Sequence, residues 1–343
     1  MQKTGIARIL QLGRILRCIA GSYQERGWAV TVEIIGQERH LWTVSRRLVH
    51  RRAVAEVFVT SLEQLSSSEF AAGVQLPRTH AFFGDHSGVS EYQYDPLAVM
   101  EAARQAAIAI SQQYFDVPYR VAYILRTFSG QATDSTGWYI GGTPADLLLT
   151  VRVSRVRQRD NVVHGLDMTL TAERDGEPLM AIDGTFSWLP PDKWSALRTD
   201  VRKQLGLGEF DGSPAPGPRA HAALVRRKDP RNVVIGPPVV DAETARAALV
   251  VDTTHPTLFD YQLDHVPGTL LIEACRQTAL VGLGVPDLCL RSVSSSFERF
   301  VELDIPAECV AVTTDSSRTG GEVTCRVVQH GAPAAHVTLR FKR

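Results

Sequence analysis

The stretch HVPGTLLIEACRQTALVG, residues 265–282, decides how the rest of the chain is read. It is apolar on nearly every face, which predicts a helix inside a core rather than on a surface. Yet it carries Glu273, Arg276 and Gln277, and Glu and Arg are almost never fully buried unless paired. Spacings of three and four put these side chains on one stripe of the helix. The stretch YDPLAVMEAARQAAIAI, residues 94–110, repeats the arrangement with Glu101, Arg104 and Gln105. Each set is either a surface ion pair, worth little, or a polar triad beside an internal cavity. Val99, Met100, Ala103, Ala106, Ala107 and Ile108 leave no polar face of ordinary width, which favours the cavity.

Outward from the two helices the pattern turns to strands. VAEVFVT (54–60) and FAAGVQL (70–76) precede the first helix, for which Asp95 is a natural N-cap and Pro96 a first-turn residue. RVAYILRTF (120–128), DLLLTVRVSRVRQ (146–158) and two alternating runs joined by Asp175-Gly176 follow it. Asp-Gly between alternating runs predicts a hairpin. Residues 206–222 hold four Gly and three Pro without periodicity and read as linker. The order then restarts, because LVRRKDPRNVVIG (224–236) echoes LVHRRAVAEVFVT (48–60) and leads to the second helix. Strands are expected near 287–300, 308–315, 322–329 and 335–342. A long helix against an antiparallel sheet, twice over, is an α+β tandem duplication. The expected boundaries are an N-terminal, poorly ordered extension over 1–44, a first domain over 45–200, a linker over 201–222 and a second domain over 223–343.

Lys plus Arg equal Asp plus Glu at 37 each, so no basic field recommends nucleic acid as a partner. No run of 18 apolar residues occurs, and no membrane-spanning helix is expected. Near the start, Ile9, Leu10, Leu12 and Ile15 alternate with Arg8, Arg14 and Arg17. That is a basic amphipathic pattern, not the unbroken apolar core of a signal peptide, and no function is assigned to it. Five widely spaced cysteines, none in CxxC, argue against a disulfide framework and a zinc site and for a reducing cytoplasm. Neither a metal nor a cofactor is expected. GxSxG, Walker A and a strand-linked GxGxxG are absent, which removes serine-hydrolase and nucleotide readings.

The helix-and-sheet order resembles the hotdog fold. VPGTLLIEACRQ resembles the start of the central helix in hotdog dehydratases, with Glu273 six residues after Pro267. ExxRQ in both halves, LVHR followed by AEVFVT, QLPRTHAFF, HPTLFD and DHVPG together resemble the A-factor synthase family of actinobacterial γ-butyrolactone biosynthesis, across residues 45–343. The resemblance implies a tandem hotdog, each half a long central helix wrapped by an antiparallel sheet, the two packed as a pseudo-dimer in a monomeric or homodimeric chain. It also implies an acyltransferase that moves a β-ketoacyl group from acyl carrier protein, or another acyl thioester, onto the hydroxyl of dihydroxyacetone phosphate in signal biosynthesis. Two departures stand out: the dehydratase His, eight residues before the Pro of the PG, is Phe259 here, and Pro96 is followed by Leu97 rather than Gly.

For such acyl transfer, Glu273 is the expected base, with Arg276 orienting it or taking the phosphate, and Glu101 facing them. Arg104, Gln105 and Gln277 are expected at the substrate, against a reading in which the amides merely bond backbone. The amides of Gly268 and Thr269, at a helix start, suit a developing oxyanion. His80 and His255 lie on the loops before the two helices, where a pocket would open. Arg51, Arg52, Arg226 and Arg227, with His50, read as exposed basic strand ends, against a reading in which they guide a carrier protein or the phosphate by long-range attraction. Cys275 reads as a small core residue rather than a nucleophile. The alternatives are a hotdog thioesterase or dehydratase-like enzyme on acyl thioesters and, without catalysis, an acyl-ligand-binding regulatory protein.

Overall fold

Both apolar stretches form the expected helices, α1 (Pro96–Tyr114) and, after the shorter α2 (Pro191–Gln204), α3 (Gly268–Leu283). The computed structural model describes residues 38–343 apart from 211, 213, 286, 318 and 319, so the amphipathic stretch near the start lies outside the described residues. The chain divides into Met1–Leu41 and Trp42–Arg343, and the fold lies in the second unit. The Asp95 carboxylate caps α1 by accepting from Leu97 N at 2.9 Å. Pro267 caps α3 without any side-chain bond.

Six strands surround α1 in sequence: β1 (Val59–Gln64), β2 (Glu69–Leu76), β3 (Ala122–Ala132), β4 (Ala145–Arg159), β5 (Val162–Arg174) and β6 (Glu177–Leu189). Around α3 come β7 (Val239–Val240), β8 (Thr244–Ala248), β9 (Cys289–Phe297), β10 (Ala307–Ser317), β11 (Gly320–Gln329) and β12 (Ala332–Lys342). All join one antiparallel sheet in the order β1-β2-β4-β5-β6-β3-β9-β12-β11-β10-β8-β7. The second half of that order mirrors the first, and β3 pairs with β9 at the centre, Thr127 opposite Ser296 and Gly130 opposite Val293. Alternation does the folding work: Ala145, Leu147, Leu149, Val151 and Val153 of β4 are buried on the helix side while their neighbours face out. Asp175 and Gly176 both adopt positive φ, 53° and 80°, closing β5 on β6 as a tight hairpin. At Gly130, where the halves meet, a Cβ would fall 2.3 Å from the methyl of Met180, so that flexible side chain would have to move aside.

Three expectations change. VAEVFVT is a 3-10 turn over Val54–Glu56 with strand only from Val59, and 224–236 forms 3-10 turns rather than a strand. The reason is competition for backbone groups. Gln105 accepts from Phe58 N at 2.9 Å and donates to Glu56 O at 2.8 Å, and Gln277 does the same with Val234 N and Asn232 O at 2.9 and 2.8 Å. Backbone held by a helix side chain is not available to a neighbouring strand. Finally, α2 runs across the expected boundary at 200/201. Its sequence is polar, and what holds it is a set of buried ion pairs: Arg198 to both oxygens of Glu302 at 2.8 and 2.7 Å, and Arg202 to Glu302 and Asp304 at 2.7 Å.

Candidate active site

Each helix carries its acid on a buried cluster, and each cluster recruits an arginine from far upstream. Glu101 Oε1 accepts from Arg51 Nη2 at 2.5 Å and from Arg104 Nη2 and Gln105 Nε2 at 2.8 Å, while Arg104 Nε bonds Oε2 at 2.8 Å. Glu273 Oε1 accepts from Arg227 Nη2 at 2.7 Å and Gln277 Nε2 at 2.6 Å, and its Oε2 lies 2.5 Å from Arg276 Nη2. Arg51 and Arg227 are therefore not exposed strand ends; both are buried. Their equivalence was readable in the echo of residues 48–60 by 224–236, where they hold the same place.

The upstream arginines also tie the halves together reciprocally. Arg51 Nη1 donates to Thr257 O at 3.2 Å, and Arg227 Nη1 to Phe82 O at 2.5 Å. Asp260 accepts from the backbone of Arg52 and Ala53, and Asp85 from that of Lys228 and Asp229. Such i-to-j and j-to-i exchange is what two-fold symmetry imposes on a dimer, here within one chain.

The symmetry breaks at Asp95. Arg276 Nη1 donates to both oxygens of Asp95 at 2.8 and 2.7 Å, and His86 Nε2 lies 2.8 Å from Oδ2. Near Glu273, then, two guanidinium groups meet two carboxylates, with the N-terminal amide of Leu97 also satisfied. The position matching Asp95 in the other half is Pro267, whose side chain caps nothing. Around Glu101 two guanidinium groups meet one carboxylate, and no side chain hydrogen-bonds to cap the start of α3. The space follows the charge: a cavity of about 1120 Å³ opens beside Glu101 and Arg104, against about 40 Å³ beside Asp95 and Arg276.

Burial by itself would push all three carboxyls up. Instead Arg104 and Arg51 hold Glu101 well below the usual carboxylate range, Arg227 and Arg276 do so for Glu273, and Arg276 and His86 for Asp95. A carboxylate this engaged is a weak base. Glu101 and Glu273 are therefore suited to orient arginines rather than to take a proton.

The large cavity is lined by Glu101, Arg104, Gly268 and Thr269 among the expected residues. Glu273, Arg276, Gln105 and Gln277 do not line it; Glu273 and both glutamines are closed off in the clusters above, and Arg276 lines only the small cavity. The sequence set Glu273 and Arg276 at the substrate; in the structure Arg276 pairs with Asp95, and Glu273 with Arg227 and Arg276. His80 and His255 do not line it either. Each accepts two backbone N–H groups in its own loop through Nδ1, Phe82 and Phe83 for His80, Thr257 and Leu258 for His255. One wall of the cavity is apolar, with Ile108, Phe128, Met168, Leu170, Gly184 and Phe186. Polar lining comes from Arg126, Arg299, His265 and His330 as well as Asp264 and Glu298. Arg126 and Arg299 are exposed and have no carboxylate partner among the described residues.

Cys275 packs towards the sheet, its Sγ 3.6 Å from that of Cys309, with Cys325 beside them. All three are fully buried, and burial pushes the Cys275 thiol well up. Among the described residues no cation is recorded beside them, and Cys275 sits in the core as a small apolar group.

Comparison with known proteins agrees with this architecture. The family model described as A-factor biosynthesis hotdog domain matches residues 35–190 and 215–343. The chain is 32% identical to a 2-oxo-3-(phosphooxy)propyl 3-oxoalkanoate synthase of Streptomyces virginiae, over 77% of this chain and 85% of that one. It is 29% identical to a protein of the same name from Streptomyces coelicolor, over 84% and 87%. A structure described as an oleoyl thioesterase from Lactobacillus plantarum shares the fold at 11% identity, with a TM-score of 0.50 over 81% of this chain and 97% of that one. The chain is a member of the A-factor biosynthesis hotdog domain family, with the hotdog unit occurring twice.

Proposed function

We propose that this protein transfers a 3-oxoacyl group from a thioester, carried by acyl carrier protein or its pantetheine arm, to the hydroxyl of dihydroxyacetone phosphate. The product is the phosphorylated 3-oxoalkanoate ester for which the relatives from Streptomyces are named. The observation that carries the reading is the charge imbalance of the Glu101 cluster beside the large cavity. Two guanidinium groups beside one carboxylate, next to an open helix N-terminus, leave a site that favours an anion. Thioester attack creates one: the tetrahedral oxyanion. The free amides of Gly268 and Thr269 and the guanidinium of Arg104 are the donors offered to it.

The remaining parts divide between the two substrates. At about 1120 Å³ the cavity exceeds the roughly 300–1,000 Å³ of ordinary small-ligand sites, leaving room for an acyl chain and an acceptor together. The acyl chain is assigned to the wall of Phe128, Met168 and Phe186, and the phosphate to Arg126 and Arg299. Four described cysteines are free and buried, which suits a reducing cytoplasm. The test is direct: purified protein with 3-oxooctanoyl-pantetheine and dihydroxyacetone phosphate is expected to yield the phosphorylated ester by mass spectrometry. No ester with thioesters of several chain lengths overturns the reading, and free 3-oxo acid formed equally without acceptor replaces it by a thioesterase.

A further inference from the structure

Resting on that reading, we propose that His265 is the general base of the transfer, held and polarised by Asp264. Glu101 and Glu273 are each held down as carboxylates by two arginines and are weak bases, yet the acceptor hydroxyl needs a group to take its proton. His265 lines the large cavity with Gly268 and Thr269, two residues before the cap of α3. Its Nδ1 lies 2.7 Å from Asp264 Oδ1. The other carboxylate oxygen, Oδ2, accepts from Arg198 Nε and Trp194 Nε1, both at 3.1 Å. Arg198 also donates to Asp264 O at 3.0 Å and is itself clamped by Glu302.

This arrangement decides the tautomer. An ionised carboxylate is acceptor-only, so Nδ1 must carry the hydrogen, and in the neutral ring Nε2 is then a bare acceptor. Among the described residues no protein group is recorded on Nε2. The ring is fixed edge-on or tilted between Phe300 and Trp194, with centroids 5.1 and 5.5 Å away. A carboxylate orienting a cavity-lining imidazole whose far nitrogen has no recorded partner is the base half of a catalytic triad, with the acceptor hydroxyl taking the place of serine.

The dyad occurs on one side only. By the alignment that sets Asp95 against Pro267, the counterparts of Asp264 and His265 are Tyr92 and Gln93, which cannot act as an acid–base pair. Dyad, uncovered α3 amides and unbalanced arginines therefore share a single chamber.

In the step, the acceptor oxygen bonds to the thioester carbon as Nε2 takes the hydroxyl proton. The tetrahedral oxyanion then collapses, the C–S bond breaks, and the imidazolium returns the proton to the departing sulfur, leaving ester, thiol and neutral His265. Asp264 acts as a positioning residue.

The test uses the full chain, 3-oxooctanoyl-pantetheine and dihydroxyacetone phosphate, with initial rates of ester formation. His265→Asn is expected to lower kcat about 100-fold or more, with KM for the thioester within threefold. Asp264→Asn is expected to lower kcat at least tenfold at unchanged KM, with Asp264→Glu recovering part of it. His265→Asn keeping more than a third of wild-type kcat overturns the assignment. Should that variant not fold, Trp194→Phe, which removes only one donor to Asp264, decides: a several-fold fall in kcat at constant KM supports the dyad, and an unchanged kcat overturns it. No ester from the unaltered protein overturns the transfer reaction and the base with it, whereas an active parent with an active His265→Asn overturns the base alone.

Discussion

Asp95, the cap of α1, lies 2.7 Å from Arg276 of α3, and this one pairing makes two nearly identical halves chemically unequal. The Asp95 carboxylate sits between a helix N-terminal amide and an ExxR arginine, the place that the large cavity leaves open beside Arg104. One half is thereby closed around its own side chain and the other is left to bind.

Substitution of the two arginines should therefore give opposite phenotypes. Arg276→Met breaks a buried pair with Asp95 and Glu273 and should cost about 3–5 kcal/mol in urea unfolding. Arg104→Met leaves a carboxylate still held by Arg51 and Gln105, so a smaller stability loss is expected. Its initial rate of ester formation should nonetheless fall by roughly 100-fold, the loss of an oxyanion donor. Equal stability losses with unchanged rates for Arg104→Met would contradict the assignment of the open chamber.

Asp95→Asn keeps a good N-cap residue and removes the charge. Unpairing Arg276 should destabilise the fold by about 2–4 kcal/mol, visible as a lower urea midpoint. At temperatures where the variant remains folded, the rate should stay within about threefold of the parent, because the working chamber contains none of the altered groups. A loss of activity in folded protein would place chemistry on the closed side instead.

Gly184 of β6 lines the apolar wall, and a Cβ there would rest 3.4 Å from the Phe128 ring, an ordinary contact. Gly184→Leu should thus be tolerated while filling space assigned to the acyl chain. With an equimolar mixture of 3-oxoacyl thioesters from six to twelve carbons, the product distribution by mass spectrometry should move to shorter chains by at least two carbons. An unchanged distribution would show that the chain lies elsewhere.

Stability should fall on mild acidification. Burial holds His50 and His255 down at about 4, aided for His50 by Arg104 and for His255 by Arg219. Both are neutral in the folded and unfolded protein above pH 7. Between their ordinary value near 6.5 and about 4 the unfolded chain binds protons that the folded protein does not. Each should then cost roughly 1–3 kcal/mol over that window. Urea unfolding at pH 7.5, 6.0 and 4.5 measures this, and His255→Gln should flatten part of the slope. The carboxylates Asp95, Glu101 and Glu273 add their loss only lower, as pH falls below the ordinary carboxylate range towards their depressed folded values.

Much of this protein was determined by local pattern. Apolar helices with a charged stripe, alternating strands, an Asp-Gly turn and the echo of residues 48–60 in 224–236 specify two helix-and-sheet units, because side-chain periodicity and turn chemistry act over a few residues. The pairing of Glu with Arg and Gln was also legible, since spacings of three and four carry it. What the tertiary structure decided is which pair lines the large cavity. That depends on Asp95 reaching Arg276 across 181 positions, on Arg51 and Arg227 joining carboxylates 50 and 46 residues away, and on α2 bringing Arg198 and Trp194 to Asp264. No periodicity encodes such contacts. They exist only when the mirrored sheet brings the two halves together, and on them rests the proposal that Arg104 and His265, rather than Glu273, carry the chemistry.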